Sequence, residues 1–257
     1  MLGSGSRGNS TLIATEKTRV LVDAGFSKRE TVARLAAVGE RAEGFDAILV
    51  SHEHTDHVYG LQSLALAPAF CGARIYINEA TREAIQLDRR IEAFEFVTAG
   101  EKFSVGDVEI TPFSIPHDAA DPMAFTFETQ GIRIGLVTDL GYIPELVKRH
   151  VRGCHCLIFE SNHDLEMLKV GPYPWYVKQR VMSRTGHLSN RSTAEFLAED
   201  FDGTAQVLVL AHLSENNNHP EIARMTAVEA LAQRSPGRNS LELHLASQTA
   251  PTQVFQF

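Results

Sequence analysis

Apolar positions along the chain fall into two patterns, short β-rich runs and longer stretches with apolar residues at helical spacing. Thr11 to Thr15 and Arg19 to Asp23 read as strands flanking a polar Glu16-Lys17 turn, and Ser27 reads as the N-cap of a helix over Lys28 to Val38 that Gly39 ends. Asp46 to Ser51 is a short apolar run, too short for a helix, so it is expected to be a strand covered on both faces that delivers the chain into His52. Further strands are expected at Arg74 to Ile77, Phe94 to Thr98, Val108 to Ile115, Ala124 to Thr129, Ile132 to Thr138, Cys156 to Glu160, Gln206 to Ala211 and Leu241 to Ala246. Helices are expected at Glu79 to Leu87, Pro144 to Val151, Asn190 to Asp200 and Pro220 to Arg234. Tight turns at Val105-Gly106-Asp107 and Thr129-Gln130-Gly131 join strand pairs directly, which favours mixed sheets with outer helices over a doubly wound parallel sheet. No Pro/Ser-rich linker, charge block or repeat interrupts the pattern, so the chain reads as one domain over residues 1–257; two subdomains around a cleft would give the same pattern. Leu2 enters the Gly3 to Asn9 loop with no strand before it, so a first strand is expected to be truncated.

Composition narrows the class. With 44% hydrophobic and 22% charged residues the chain can bury a core, which excludes disordered, collagenous and coiled-coil readings. Its apolar runs, such as Val207 to Ala211 and Leu64 to Phe70, fall far short of the roughly 18 residues a bilayer span requires, so no membrane partner is expected. Three cysteines, Cys71, Cys154 and Cys156, and no apolar secretory core at the N-terminus point to a reduced cytoplasmic home. The net charge of −8 argues against bulk electrostatic adhesion to nucleic acid or anionic lipid and leaves room for a local basic patch.

The densest chemistry is the run His52-Glu53-His54-Thr55-Asp56-His57, directly after the buried strand. Crowded imidazoles and carboxylates are costly unless a cation balances them, and nitrogen and oxygen donors without thiolate suit zinc, manganese or iron. His117, Asp139 and His212 each follow an expected strand, where a lone His or Asp is more often a turn residue. Taken with the first run they make a set of seven, His52, His54, Asp56, His57, His117, Asp139 and His212, enough for two divalent metal ions.

This run is similar to the HxHxDH signature of the metallo-β-lactamase fold. Gly3-Ser4-Gly5-Ser6-Arg7-Gly8-Asn9-Ser10, Glu160-Ser161-Asn162-His163-Asp164, Gly186-His187-Leu188-Ser189-Asn190 and Ala211-His212-Leu213-Ser214 with Asn216-Asn217 resemble the YycJ/WalJ subfamily of that fold, described as DNA exonucleases. The resemblance implies an α+β, four-layer αββα sandwich of two mixed sheets with outer helices. It also implies one ion on His52, His54 and His117, the other on Asp56, His57 and His212, and Asp139 bridging. The activity implied is a dinuclear, metal-dependent phosphodiesterase acting on nucleic acid, DNA above RNA, with Asp56 orienting the nucleophile or accepting its proton. A small-molecule hydrolase of a thioester, lactone or cyclic phosphate on the same fold, and a non-catalytic metal-stabilised regulatory module, are the alternatives.

In-line cleavage expels an alkoxide that needs a proton, and the seven metal donors are committed, so an eighth group is expected. His187, ahead of an expected helix start at Ser189-Asn190, is the candidate, with Glu160 holding its second nitrogen; this pairing resembles the ribonuclease Z relatives on the same fold. His163 is the rival. Between Lys169 and Ala194 there is no acid, while Lys169, Lys178, Arg180, Arg184 and Arg191 interleave with Tyr173, Trp175 and Tyr176. That window reads either as a solvated face over an aromatic core or as a groove for phosphates and bases. Ser6, Arg7, Asn9, Arg180, Arg184, Ser189 and Asn190 are the expected phosphate contacts. Cys154-His155-Cys156 opens an apolar run and reads as core.

Overall fold

The computed structural model describes residues 1–234 and 241–257. The described chain falls into two compact units, the first made of Met1–Ser114, Ala119–Met123 and Ser247–Phe257, the second of Ile115–Asp118 and Ala124–Ala246.

The first unit contains β1 (Thr11–Ala14), β2 (Arg19–Val22), α1 (Lys28–Ala37), β3 (Ala47–Leu49), α2 (Thr55–Val58), α3 (Leu61–Ala65), a 3-10 turn at Pro68–Phe70, β4 (Arg74–Ile77), α4 (Glu79–Ala84), β5 (Phe94–Phe96), β6 (Phe103–Val105) and β7 (Val108–Ser114). Its sheet runs β1-β2-β3-β4-β5. The first pair is antiparallel, with Thr11 opposite Val22, and the others are parallel, with Ile48 between Leu21 and Ile75. β3 is buried along its whole length because it is central and covered on both faces. Leu21, Ile48, Val50 and Ile75 meet Leu35 of α1 and Leu61 and Leu64 of α3 in one apolar cluster. α1 starts where the Ser27 hydroxyl accepts from the Glu30 amide at 3.3 Å, an N-cap that satisfies one orphan donor. β6 and β7 form the hairpin expected around Gly106, which sits at φ +55.

The second unit contains β8 (Met123–Thr129), β9 (Ile132–Val137), α5 (Glu145–Val151), β10 (Cys156–Glu160), α6 (Leu165–Val170), α7 (Trp175–Val181), α8 (Asn190–Glu199), β11 (Val207–Ala211), α9 (Pro220–Arg234) and β12 (Glu242–Leu245). Its strands lie in the order β12-β11-β10-β9-β8. Only β8 and β9 pair antiparallel, through the Gln130-Gly131 turn; β9, β10, β11 and β12 are parallel. β10 and β11 are buried throughout, as expected of inner parallel strands. Phe159 stacks on Phe196 with centroids 4.7 Å apart, which ties β10 to α8. α9 presents the buried small residues Ala223, Ala227 and Ala230 at helical spacing, and α8 packs against it.

Each unit thus carries a mixed sheet with helices, in line with the α+β reading. Parallel strands end on one edge of their sheet, so residues following β2 and β3 share an edge in the first unit, and residues following β9, β10 and β11 share one in the second. The short α2, α3, α6 and α7 went unread from sequence because four to seven residues are too few to display a helical period. α4 stops at Ala84, earlier than expected, because Ile85 is extended at φ −101 and ψ 130. Among the described residues no helix is long and apolar enough to cross a membrane.

Candidate functional site

In the first unit β3 delivers Ser51 and His52, and the single turn α2 carries Asp56 and His57. His52 and His57 are buried. Asp23, the residue after β2, sits at φ +59 and turns its carboxylate inward. Its Oδ1 accepts from the Ser51 amide at 2.8 Å, and its Oδ2 accepts from the Ser51 hydroxyl at 3.0 Å and from His57 Nδ1 at 2.8 Å. A carboxylate can only accept, so the His57 proton is on Nδ1 and Nε2 is the lone-pair nitrogen, the tautomer a metal ligand requires. His52 Nε2 and His54 Nδ1 are 3.1 Å apart. Two nitrogens bound at about 2.05 Å to one tetrahedral ion stand about 3.3 Å apart, so this spacing fits a shared cation.

The Gly/Ser loop braces these donors. Asn9 Oδ1 accepts from the Gly5 amide at 2.9 Å and the Ser4 hydroxyl at 3.0 Å, which orients its Nδ2 toward Asp56 Oδ2 at 3.0 Å and His57 Nε2 at 3.1 Å. Gly25 closes the brace by close approach: a Cβ there would lie 1.8 Å from the Asp56 carbonyl oxygen.

In the second unit Asp139 follows β9, Glu160 ends β10 and His212 follows β11, all on the same sheet edge. Glu160 is fully buried. Its Oε1 accepts from His187 Nδ1 and from His212 Nδ1, each at 2.8 Å, and its Oε2 accepts from the Leu140 amide at 3.0 Å and the Leu188 amide at 3.1 Å. Burial alone would raise its pKa, but the hydrogen bonds and proximity of His187 and His212 outweigh this and hold its carboxyl below the usual carboxylate range. His212 therefore keeps its proton on Nδ1 and its lone pair on Nε2. His117 reaches the same tautomer by donating from Nδ1 to the Gly186 carbonyl at 3.2 Å. Asp139, Glu160, His187 and His212 bring one ligand atom each within 4.8 Å of one another.

Asp139 (φ +65) and His212 (φ +56), like Asp23, hold the left-handed backbone conformation that costs a non-glycine residue about 1 kcal/mol. The Asn162 amide locks the last of these turns by donating to the His212 carbonyl at 2.7 Å. Strain concentrated at these strand ends turns the side chains back over the sheet edge. Gly186 is needed for a different reason: a Cβ there would meet the Val181 carbonyl oxygen at 2.1 Å, displacing the segment that carries His187.

The donor chemistry fits divalent cations: imidazoles with their tautomers fixed by Asp23, Glu160 and a backbone carbonyl, carboxylates alongside, and no thiolate. His163 is 2% exposed, and burial pushes its pKa down to about 4, which favours its neutral form. Ser189 is the N-cap of α8, accepting from the Ser192 amide at 3.0 Å, and Asn190 is buried against Ser161 and Asn218. Asn9 is part of the loop brace, while Ser6 and Arg7 are exposed at its tip. Arg180 is paired with Asp118, and Arg184 lies over the Tyr142 ring, 4.1 Å from its centroid. Asp23, Ser51 and Asn162 were given no role from sequence; Asp23 carries the same strand-end signal as Asp139, Asn162 lies within the motif Glu160-Ser161-Asn162-His163-Asp164, and Ser51 bears no signal. Cys154 and Cys156 are buried in the core as expected.

A family model described as "Beta-lactamase superfamily domain" matches residues 18–239. Exodeoxyribonuclease YycJ of Bacillus anthracis is 36% identical, the match covering 99% of this chain and 97% of that protein. Exodeoxyribonuclease WalJ of Streptococcus pneumoniae serotype 2 (strain D39) is also 36% identical, covering 92% of this chain and 89% of its own length. The crystal structure of the metallo-β-lactamase fold protein YhfI from Bacillus subtilis superposes with a TM-score of 0.73 at 18% identity, covering 96% of this chain and 95% of that one, which shows a shared fold.

Proposed function

Because the chain belongs to the β-lactamase superfamily, among the YycJ/WalJ-like hydrolases of the metallo-β-lactamase fold, we propose that it is a metal-dependent exodeoxyribonuclease acting on DNA. The observation that carries this reading is the 36% identity, across 99% of the chain, to a relative bearing that name. The ligands assigned to two divalent ions, zinc or manganese, are His52, His54, Asp56 and His57 in the first unit and His117, Asp139 and His212 in the second. Bound ions of this kind activate water and neutralise charge on the phosphate.

The protein's own groups divide the remaining work. Asp23 and Glu160 fix the tautomers of His57 and His212, so the lone pair of each imidazole lies on Nε2. Asp56 orients the attacking water. His187 shares the Glu160 carboxylate but is less buried, its side chain 22% exposed against 3% for His212, which lets its Nε2 reach a substrate oxygen. With Nδ1–H held by Glu160, the imidazolium form of His187 carries a second proton on Nε2 and gives it to the oxygen that leaves as the phosphorus–oxygen bond breaks, which returns the neutral Nδ1–H imidazole.

The test is digestion of end-labelled single- and double-stranded DNA and RNA with added manganese or zinc. Release of nucleotides from DNA ends is expected; no release with either metal overturns the reading. His187→Ala is expected to keep metal content and DNA affinity while turnover falls about a hundredfold or more. Near-normal turnover would remove His187 from the proton-donor role.

A further inference from the structure

We propose that Trp175 and Tyr176, at the start of α7, form a stacking platform for the bases of a single-stranded nucleic acid end being fed toward His187. The inference rests on the exodeoxyribonuclease reading and names how the substrate strand is held.

Trp175 is 62% exposed and Tyr176 72% exposed, and Val170 beside them in sequence is more exposed still. Large rings left in water on an otherwise ordinary surface mark a contact surface. The platform is pinned at both ends. Lys178, buried on α7, donates from Nζ to the Lys169 carbonyl at the end of α6 at 2.7 Å, and the His187 amide donates to the Val181 carbonyl at the end of α7 at 2.9 Å. Between the two helices Gly171 is pressed against the second unit's own loop, where a Cβ would lie 2.2 Å from Asn217 Oδ1. The helix that carries the rings is therefore held in place before anything binds, which lowers the entropy lost on contact.

Charge says what occupies them. From Met167 to Ala194 the chain has no Asp or Glu although its net charge is −8, and the acids brought against this segment, Glu166, Asp118 and Glu195, are each ion-paired with one of its cations, which lessens repulsion of a polyanion. Yet most of its cations are engaged: Lys169 with Glu166, Lys178 with a carbonyl, Arg180 with Asp118 and Arg191 with Glu195. What the segment offers is aromatic faces, extended by the Arg184 guanidinium stacked on Tyr142. Bases show their faces only in a single strand, so stacking selects an unpaired end. Trp175 and Val181 are six residues apart on α7, about 9 Å at 1.5 Å per residue. At about 3.4 Å per stacked nucleotide this spans about three nucleotides.

Trp175 is the single tryptophan of the chain, so its fluorescence reports the contact directly. The metal-loaded protein is titrated with phosphorothioate-linked thymidine strands that resist cleavage. A strand of about eight nucleotides is expected to quench the emission and a dinucleotide to leave it unchanged. Trp175→Ala with Tyr176→Ala is expected to weaken binding of the longer strand roughly fivefold to a hundredfold, with the salt dependence of binding unchanged, because no phosphate contact is lost. Trp175→Phe with Tyr176→Phe is expected to restore affinity. DNA degradation without quenching, or an alanine variant that binds the strand as the parent does, overturns the platform and leaves the exonuclease reading standing. A flattened salt slope in the alanine variant overturns it in favour of phosphate contacts. Self-association that the alanine variant abolishes overturns it in favour of a second copy of the chain. Absence of any nucleic acid binding or cleavage overturns the exonuclease reading itself.

Discussion

Glu160→Gln is the most informative single perturbation. The wild-type carboxylate takes four donors, two imidazole N–H groups on Oε1 and the Leu140 and Leu188 amides on Oε2. Glutamine has one oxygen and one NH2, so it cannot serve both sides. If its oxygen faces the imidazoles, its NH2 opposes two buried backbone donors, each left unsatisfied at about 1–3 kcal/mol, a total of about 2–6 kcal/mol. If its oxygen faces the amides, its NH2 opposes His187 and His212, which must move their protons to Nε2 and accept at Nδ1. The second arrangement keeps the four groups around residue 160 paired and loses mainly the charge assistance, about 1–3 kcal/mol, so it wins. His212 then has no lone pair on Nε2. Stability is expected to fall by about 1–3 kcal/mol in urea unfolding, and metal affinity by about 10–100-fold. Imidazole nitrogen chemical shifts should show the Nε2–H form for both histidines. A variant with metal affinity and imidazole shifts like the parent's, and stability within about 0.5 kcal/mol, would refute the reasoning.

Two further expectations follow from the same geometry. Asp23→Asn keeps a residue that tolerates the φ of +59 while removing the carboxylate that fixes His57, so metal affinity should drop about 10–100-fold in calorimetric titration with little loss of fold; unchanged affinity would sink the tautomer argument. Burial pushes the Cys154 thiol up to about 11 and Cys156 up to about 12, so both remain protonated and unreactive near pH 8, whereas Cys71 is exposed. Iodoacetamide on the folded protein should label Cys71 alone, read by peptide mass spectrometry, and an adduct on either of the others would contradict the burial.

How much of the site was legible in sequence depended on whether its signal was local. The run from His52 to His57 is dense enough to declare itself, and Asp139 and His212 could be picked out because each directly follows a strongly apolar strand. Asp23 follows a strand in the same way but stands far from other donors, so nothing in one dimension separates it from a turn residue. Ser189 and Asn190 differ: their place at a helix start was legible, while the cap that Ser189 makes and the buried amide network that draws in Asn190 depend on the fold. The basic window is similar: its freedom from acid holds over the local stretch, but Arg180 finds Asp118, which is remote in sequence.

Sequence alone therefore determined what short-range chemistry encodes: strand and helix periods, the N-cap at Ser27, the turns at Gly106 and Gly131, and the donor types suited to divalent ions. Only the tertiary structure decided which nitrogen of each imidazole carries the proton, because that depends on a partner such as Asp23 for His57 or Glu160 for His212, brought close by parallel strands ending on a common edge. It also decided which side chains remain in water. Burial and ion pairing are sums over neighbours distant along the chain, so Trp175 and Tyr176 emerge as exposed rings, and His163 as a buried one, only once the chain has folded.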